Sequence, residues 1–480
     1  MSRAAPVPEP PAGCPAHRAE PGSLPPGPAD SPARQALRWN IRPDELLDAC
    51  VESLGDIFTL QLPPRPVVMV GRPDDVRHAF AADPDVLRAG EGNAFFGAVM
   101  GERSLLRLDG NEHLHARRRL LATLNAARVN DRGEEIRAIT ETDVRSWPHD
   151  EPFSALDRMR AISLEIILAI LFGRSDDGRV AAMREAASAL MTEVQRHRGI
   201  PAAVHHGTET RTPIGEAIDA LERALRSEVD RRRTEPAATP GSVLDHLLAA
   251  RDRDGNPLSE AQIRDDLVTL VLAGHETTAT ALAWAVERLV RHPEALERLT
   301  AEARAQDGSE YAKAVVLETL RVRPPVWLVT RHVAEPFPIR DWVLPAGSVI
   351  APCMYLAHNR EDGFEDPQDF RPERFLGVTP GTYQWIPFGG GRRRCIGAVF
   401  AQVEMVEVLH TVLRLGDFVP TTAPGEGVRR TATVLAPRDG AKATFRHRSG
   451  RPTATADHVA NPATATATAA AATELEQPPR

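Results

Sequence analysis

The chain has 480 residues, 42% of them apolar and 26% charged, with a formal net charge of -8. That length holds either one large α-rich unit with a deep core or several ordinary domains, and an acidic balance excludes a global basic field for nucleic acid. Four cysteines, Cys14, Cys50, Cys353 and Cys395, match neither a disulfide framework nor a zinc cluster, so each is judged by its surroundings.

Residues 1–35 are rich in Pro and Ala, end near the LPPGP run at 24–28, and predict an arm. They lack the apolar stretch of a signal peptide or membrane anchor, which makes a cytoplasmic location the expectation. Residues 449–480, dominated by Ala and Thr, predict a second tail. Between them, 36–448 show no internal repeat or linker and predict a single mixed domain.

Within that domain, GDIFTLQLPPRPVVMVG from Gly55 carries two β-rich pieces around a Pro-rich turn and predicts a hairpin. RPDDVRHAFAADP predicts a short helix, and RGEEIRAITETDVRSW, LDRMRAISLEIILAILFG and AIDALERALRSEVDRRRT longer ones. The segment from Leu258 is apolar on nearly all faces and capped by Ser259, which predicts a central buried helix. A polar insert, AGHETT at 273–278, lies in its middle. A turn at Arg291–Pro293 leads to two further helices, then to short strands in WLVTRHV, FPIR and SVIAPCMYL. The last long helix starts near Ile396. The fold class is mainly α with small β-sheets.

The most informative stretch is FGGGRRRCIG, residues 388–397. Three glycines permit close backbone approach, three arginines supply charge, and Cys395 precedes an apolar helix whose start favours a thiolate. This segment resembles the haem-binding signature of the cytochrome P-450 superfamily, matched at Phe388, Gly389, Gly391, Arg393, Cys395 and Gly397. The resemblance implies that Cys395 is the axial ligand of a heme b iron, that Phe388 shields its sulfur, and that the haem lies between the central helix and the helix after the cysteine.

Three more signatures follow the family order. Glu276 and Thr277 resemble its acid–alcohol pair, which handles protons during oxygen activation, with Ala273 and Gly274 small enough for oxygen to sit against an interrupted helix. Glu318 and Arg321, with Arg374 in FRPERF, resemble its Glu–Arg–Arg structural network. His113 and Arg117 resemble its haem-contacting helix, and with Arg331 and Arg393 they are expected to reach the propionates. His115, Arg118 and Arg119 form a solvated face that, with Arg392 and Arg394, suits an acidic ferredoxin. His197, His205 and His206 lack converging ligand partners and belong to a channel lid or to solvent.

The resemblance implies a bacterial haem-thiolate monooxygenase of secondary metabolism. It would insert one atom of O2 into a lipophilic terpene, polyketide or fatty acid. NAD(P)H electrons would arrive through separate ferredoxin and ferredoxin reductase proteins, since the chain holds no reductase-sized extension. The expected protein is a monomer without membrane anchor or nucleic-acid partner. Candidate pocket residues are Phe95, Phe96, Val99 and Leu105, then Leu272 and Ala273, then Val326, Trp327, Leu328 and Thr433. Peroxide-driven or rearranging haem-thiolate enzymes, or a haem sensor, are the alternatives; they have less use for Glu276 and Thr277.

Overall fold

The computed structural model describes residues 23–123, 132–173, 178–196, 212–235, 241–431 and 433–448. The histidines at 197, 205 and 206 and most of the two proposed tails lie outside the described residues.

Long helices dominate. Glu260–Leu289 is the central one, opened by a capping box in which Ser259 accepts from the Gln262 amide at 3.3 Å and Gln262 accepts in return from Ser259 at 3.1 Å. It stops where His292 and Pro293 begin the next helix, because proline at a first-turn position cannot extend the one before. It packs along Ala155–Phe172, whose apolar residues are themselves mostly buried. Each fully buried Leu, Ile or Val here contributes about 1.5–3 kcal/mol of transfer free energy.

The expected hairpin is present as Ile57–Leu62 and Arg65–Val70, antiparallel with Ile57 opposite Val70. It forms the edge of a five-stranded sheet that continues through Val349–Pro352, Arg331–Val333 and Leu87–Arg88. This sheet places Arg331 beside Ile350 in the protein interior.

Residues 23–35, which the sequence assigns to a disordered or extended arm, are held by hydrogen bonds in the described structure. Thr59 of the hairpin donates its amide to Pro26 at 2.9 Å and its hydroxyl to Pro25 at 2.7 Å. Gln35, 1% exposed, donates to the Asp30 carbonyl at 2.7 Å. A helix begins at Pro32, capped by Ser31. Proline-rich sequence here is extended edge backbone satisfied by the sheet, which composition alone does not distinguish from an arm. Among the described residues no helix is long and apolar enough to cross a membrane.

Candidate active site

The cysteine loop takes its shape from its glycines. Gly389 and Gly391 have φ of +65° and +61°, the left-handed region. At Gly390 a Cβ would lie 2.3 Å from the Phe80 ring, and at Gly391 2.4 Å from the Phe80 carbonyl. All three glycines are therefore required, two by backbone conformation and two by the approach of Phe80. The Cys395 amide closes the loop by donating to the Phe388 carbonyl at 2.9 Å, and Phe388 packs edge-on against Trp385. Cys395 presents its side chain to an opening, yet protein surrounds it closely enough that burial pushes its thiol up. A hydrogen bond from the Gly397 amide and the charges of Arg117 and Arg394 oppose that shift without overcoming it. The expected thiolate thus needs a cation at the sulfur to be its stable form.

A basic cluster adjoins the loop. Burial first, then the charges of Arg393, Arg117 and Arg331, hold His113 down at about 3, so it is a neutral imidazole. Arg331 is 6% exposed, lies over the Phe80 ring at 5.7 Å, and burial with the charge of Arg393 lowers it to about 10. Arg117 reaches both His113 and the Cys395 sulfur electrostatically. Among the described residues the only ion pair made by these four groups joins Arg393 to Asp109 at 2.5 Å. A cleft lined by Phe80, Asp109, His113, Arg331 and Arg393 opens between them. Buried cations this short of carboxylates fit an anionic ligand with two acid groups, as a haem edge presents.

The central helix carries the third feature. From Asp265 to Val290 every residue is buried except Ala273, Gly274 and Thr277. Gly274 is explained by packing, since a Cβ there would lie 3.1 Å from Ile167 Cδ1, which leaves Ala273 and Thr277 as the accessible side chains of this stretch. The helix is continuous through this point, contrary to the expected interruption. The Thr277 hydroxyl donates to the Ala273 carbonyl at 2.7 Å and that of Thr278 to Gly274 at 3.2 Å, satisfying both hydroxyls within the helix. Glu276 turns the other way, 6% exposed, and takes a bidentate pair from Arg160 at 3.0 and 2.5 Å.

Beneath the loop the Glu–Arg–Arg network is complete. Glu318 and Arg321 are both fully buried and bonded at 2.7 and 2.8 Å, while Arg374 donates to Glu318 at 3.0 Å. Arg321 also donates to the carbonyls of His358, Pro367 and Asp369, at 3.1, 2.7 and 2.9 Å. His358, fully buried and held neutral, bridges the Arg321 carbonyl at 3.1 Å and the Ile386 amide at 2.8 Å.

Residues 25–442 match the family model described as cytochrome P450. The chain belongs to the cytochrome P450 family. It is 35% identical over 432 residues to "Putative cytochrome P450 135B1" of Mycobacterium tuberculosis, covering 87% of this chain and 90% of that one. It is 36% identical over 428 residues to "Putative cytochrome P450 137" of the same organism, with coverages of 86% and 85%. The solved structure of retinoic acid bound cyanobacterial CYP120A1 superposes with a TM-score of 0.76 at 20% identity, covering 88% of this chain and 99% of that one, and shares its fold. As a P450 the chain is a monooxygenase-class oxidoreductase with haem held by a cysteine thiolate.

The P450 residues expected in the substrate pocket do not all face an opening. Val99, Leu105 and Leu272 are buried in the main core. Trp327, 3% exposed, stacks on Tyr355 at 4.3 Å between ring centroids, in a separate core cluster. Phe96, Val326, Leu328 and Thr433 are half-buried, and Phe95 is exposed with its ring against Phe96. Arg119 also departs from expectation. It is not on a solvated face but donates to the buried Asp266 of the central helix at 2.6 Å, while His115 and Arg118 are exposed.

Sequence reasoning missed Phe80, Asp109, Arg160 and His358. Each is a single residue outside any quoted signature, and Arg160 is 116 positions from its partner. Only the His358 imidazole and the Asp109 carboxylate, polar groups beside recognised motifs, offered a signal.

Proposed function

We propose that this P450 inserts one atom of O2 into a lipophilic substrate, with NAD(P)H electrons delivered through a separate ferredoxin and its reductase. The observation that carries the reading is the opening of an otherwise buried helix at Ala273 and Thr277, the residues where the family handles oxygen. Bound heme b supplies the oxidation chemistry, with Cys395 as donor to its iron. His113, Arg117, Arg331 and Arg393 hold its carboxylates, the last three as cations and His113 as a neutral N–H donor.

Thr277 holds a proton at Oγ1 beside the opening. Glu276, released from Arg160, passes protons toward it from the interior side. Phe96, Val326, Leu328 and Thr433 surround the substrate with mainly apolar surface, which selects a largely apolar molecule such as a terpene, polyketide or fatty acid over a small polar metabolite. Exposed His115, Arg118, Arg392 and Arg394 dock the acidic electron donor. The protein acts as a cytoplasmic monomer in bacterial secondary metabolism.

The test is the carbon monoxide difference spectrum of the reduced protein, with lipophilic compounds then screened by the spin-state change. A band near about 450 nm, the mark of a strongly donating thiolate, is expected. Its absence, or turnover that proceeds with peroxide but not with ferredoxin and O2, would overturn the proposal.

A further inference from the structure

Asp109 occupies a junction that the reaction does not explain. Its Oδ1 accepts from the Gly90 amide at 2.8 Å and from Arg393 at 2.5 Å, and its Oδ2 accepts from the Glu91 amide at 3.1 Å. Gly90 and Glu91 begin the segment that continues through Phe95 and Phe96. The same segment is tied down twice more: Arg107 donates to the Gly90 carbonyl at 2.8 Å, and Thr330, next to Arg331, donates to Gly92 at 3.0 Å. Arg393 also donates to the carbonyls of Leu105 and Leu108, at the other end of this segment. Gly90 has no room for a side chain, since a Cβ would lie 2.1 Å from the Arg107 carbonyl and 2.6 Å from Asp109 Oδ2.

We infer that Asp109 is a positioning residue coupling the haem edge to the segment 90–105, which carries Phe96 of the proposed substrate space. One carboxylate grips the cation that would hold a propionate and, through backbone amides, the base of the loop that carries Phe95 and Phe96. A shift in either end is transmitted to the other through hydrogen bonds of the charge-assisted kind, short and directional. Substrate seated against the loop thereby alters the charge felt at the haem edge, and the state of the haem alters how the loop closes. The inference rests on the haem-binding reading of the basic cluster.

The test uses holoprotein of the wild type, Asp109→Asn and Gly90→Ala. Two quantities are measured: the haem midpoint potential, and the Kd ratio of 4-phenylimidazole to imidazole. Both probes coordinate the iron, and only the first fills apolar space beside it. In D109N the potential rises, because removing a negative charge near the haem favours the ferrous form. The ratio rises about tenfold as the loop loses its anchor, the scale of one charge-assisted hydrogen bond. In G90A, which disturbs the loop while keeping the carboxylate, the potential moves in the same direction as the displaced Asp109 leaves Arg393. If D109N does not accumulate with haem, G90A alone decides, by whether a loop substitution moves the potential. A change in the ratio without a change in potential means a loop anchor only. A change in potential without a change in the ratio means local electrostatics only. Either overturns the coupling. A wild type that binds no haem or lacks the 450 nm band fails the haem reading instead, before either variant is compared.

Discussion

The two sides of the cysteine loop are built on different terms. Below it, Arg321 uses every guanidinium nitrogen, Glu318 is saturated by Arg321, Arg374 and the Arg371 amide, and His358 spends both ring nitrogens on backbone. On the central helix, buried polar atoms are left without partners among the described residues, at His275 Nδ1, Thr280 Oγ1 and Asp266 Oδ1, whereas near the lower network, outside its three members, Thr319 Oγ1 and Arg323 Nε are left so. A saturated network has one arrangement, whereas an unsaturated one has room for water, protons and substrate. Substitutions below should therefore cost stability, and substitutions on the central helix should cost chemistry while the fold persists.

The largest effect is expected for Cys395→Ser, which should abolish the 450 nm band and all turnover; a variant that kept the band would remove the cysteine from its role. Next, Glu318→Gln breaks a fully buried pair, for which about 3–5 kcal/mol is typical. Thermal melting and haem content should both show the loss, and an unchanged melting temperature would end the contrast drawn here. On the other side, Thr277→Ala should leave melting and the carbon monoxide spectrum intact while product formed per NAD(P)H consumed falls about tenfold or more, the scale of positioned proton transfer. Product yield equal to wild type would place proton handling elsewhere.

At any one pH near neutrality the effect is gentler for Glu404, on the helix after the cysteine, because it is spread over several pH units. Glu404 is 1% exposed, its Oε1 has no partner, and burial raises its carboxyl to about 8 against a hydrogen bond from Ser163. A raised folded pKa gives stability that is present below the unfolded value of 4.5 and lost as pH rises through about 8. Glu404→Gln should flatten that decline by up to about 1.4 kcal/mol per pH unit between the two values, read from denaturation at a series of pH values. A variant whose slope matches wild type would show that Glu404 is ionised in the folded protein.

Sequence made the long helices and the cysteine loop legible because their signals are local. The apolar run of Ala155–Phe172, the capped start of Glu260–Leu289 and the FGGGRRRCIG string are each contained in one segment. The helices Pro32–Ile41 and Pro43–Leu54 were not, since they follow directly on a Pro-rich run and are held in place by the sheet they cover. At the site, the acid–alcohol pair was readable but its orientation was not. Adjacent helical residues point about 100° apart, so Thr277 is half-buried and accessible while Glu276 turns to an arginine on another helix. Arg119 shows the same limit. An RRR run reads as a charged face, and only the packing of two helices shows that one of the three meets a buried aspartate.

The glycine loop has a consequence for how this protein diversifies. With Gly389 and Gly391 committed by backbone conformation and Gly390 and Gly391 by contact, that stretch offers no side chain to vary. Phe80, on a helix more than three hundred positions earlier in the chain, is the surface the loop is moulded against and the ring beneath Arg331. Change in the shape of the glycine loop is thus routed to a distant residue, and a library aimed at reshaping that loop should be built at position 80 rather than in its glycines.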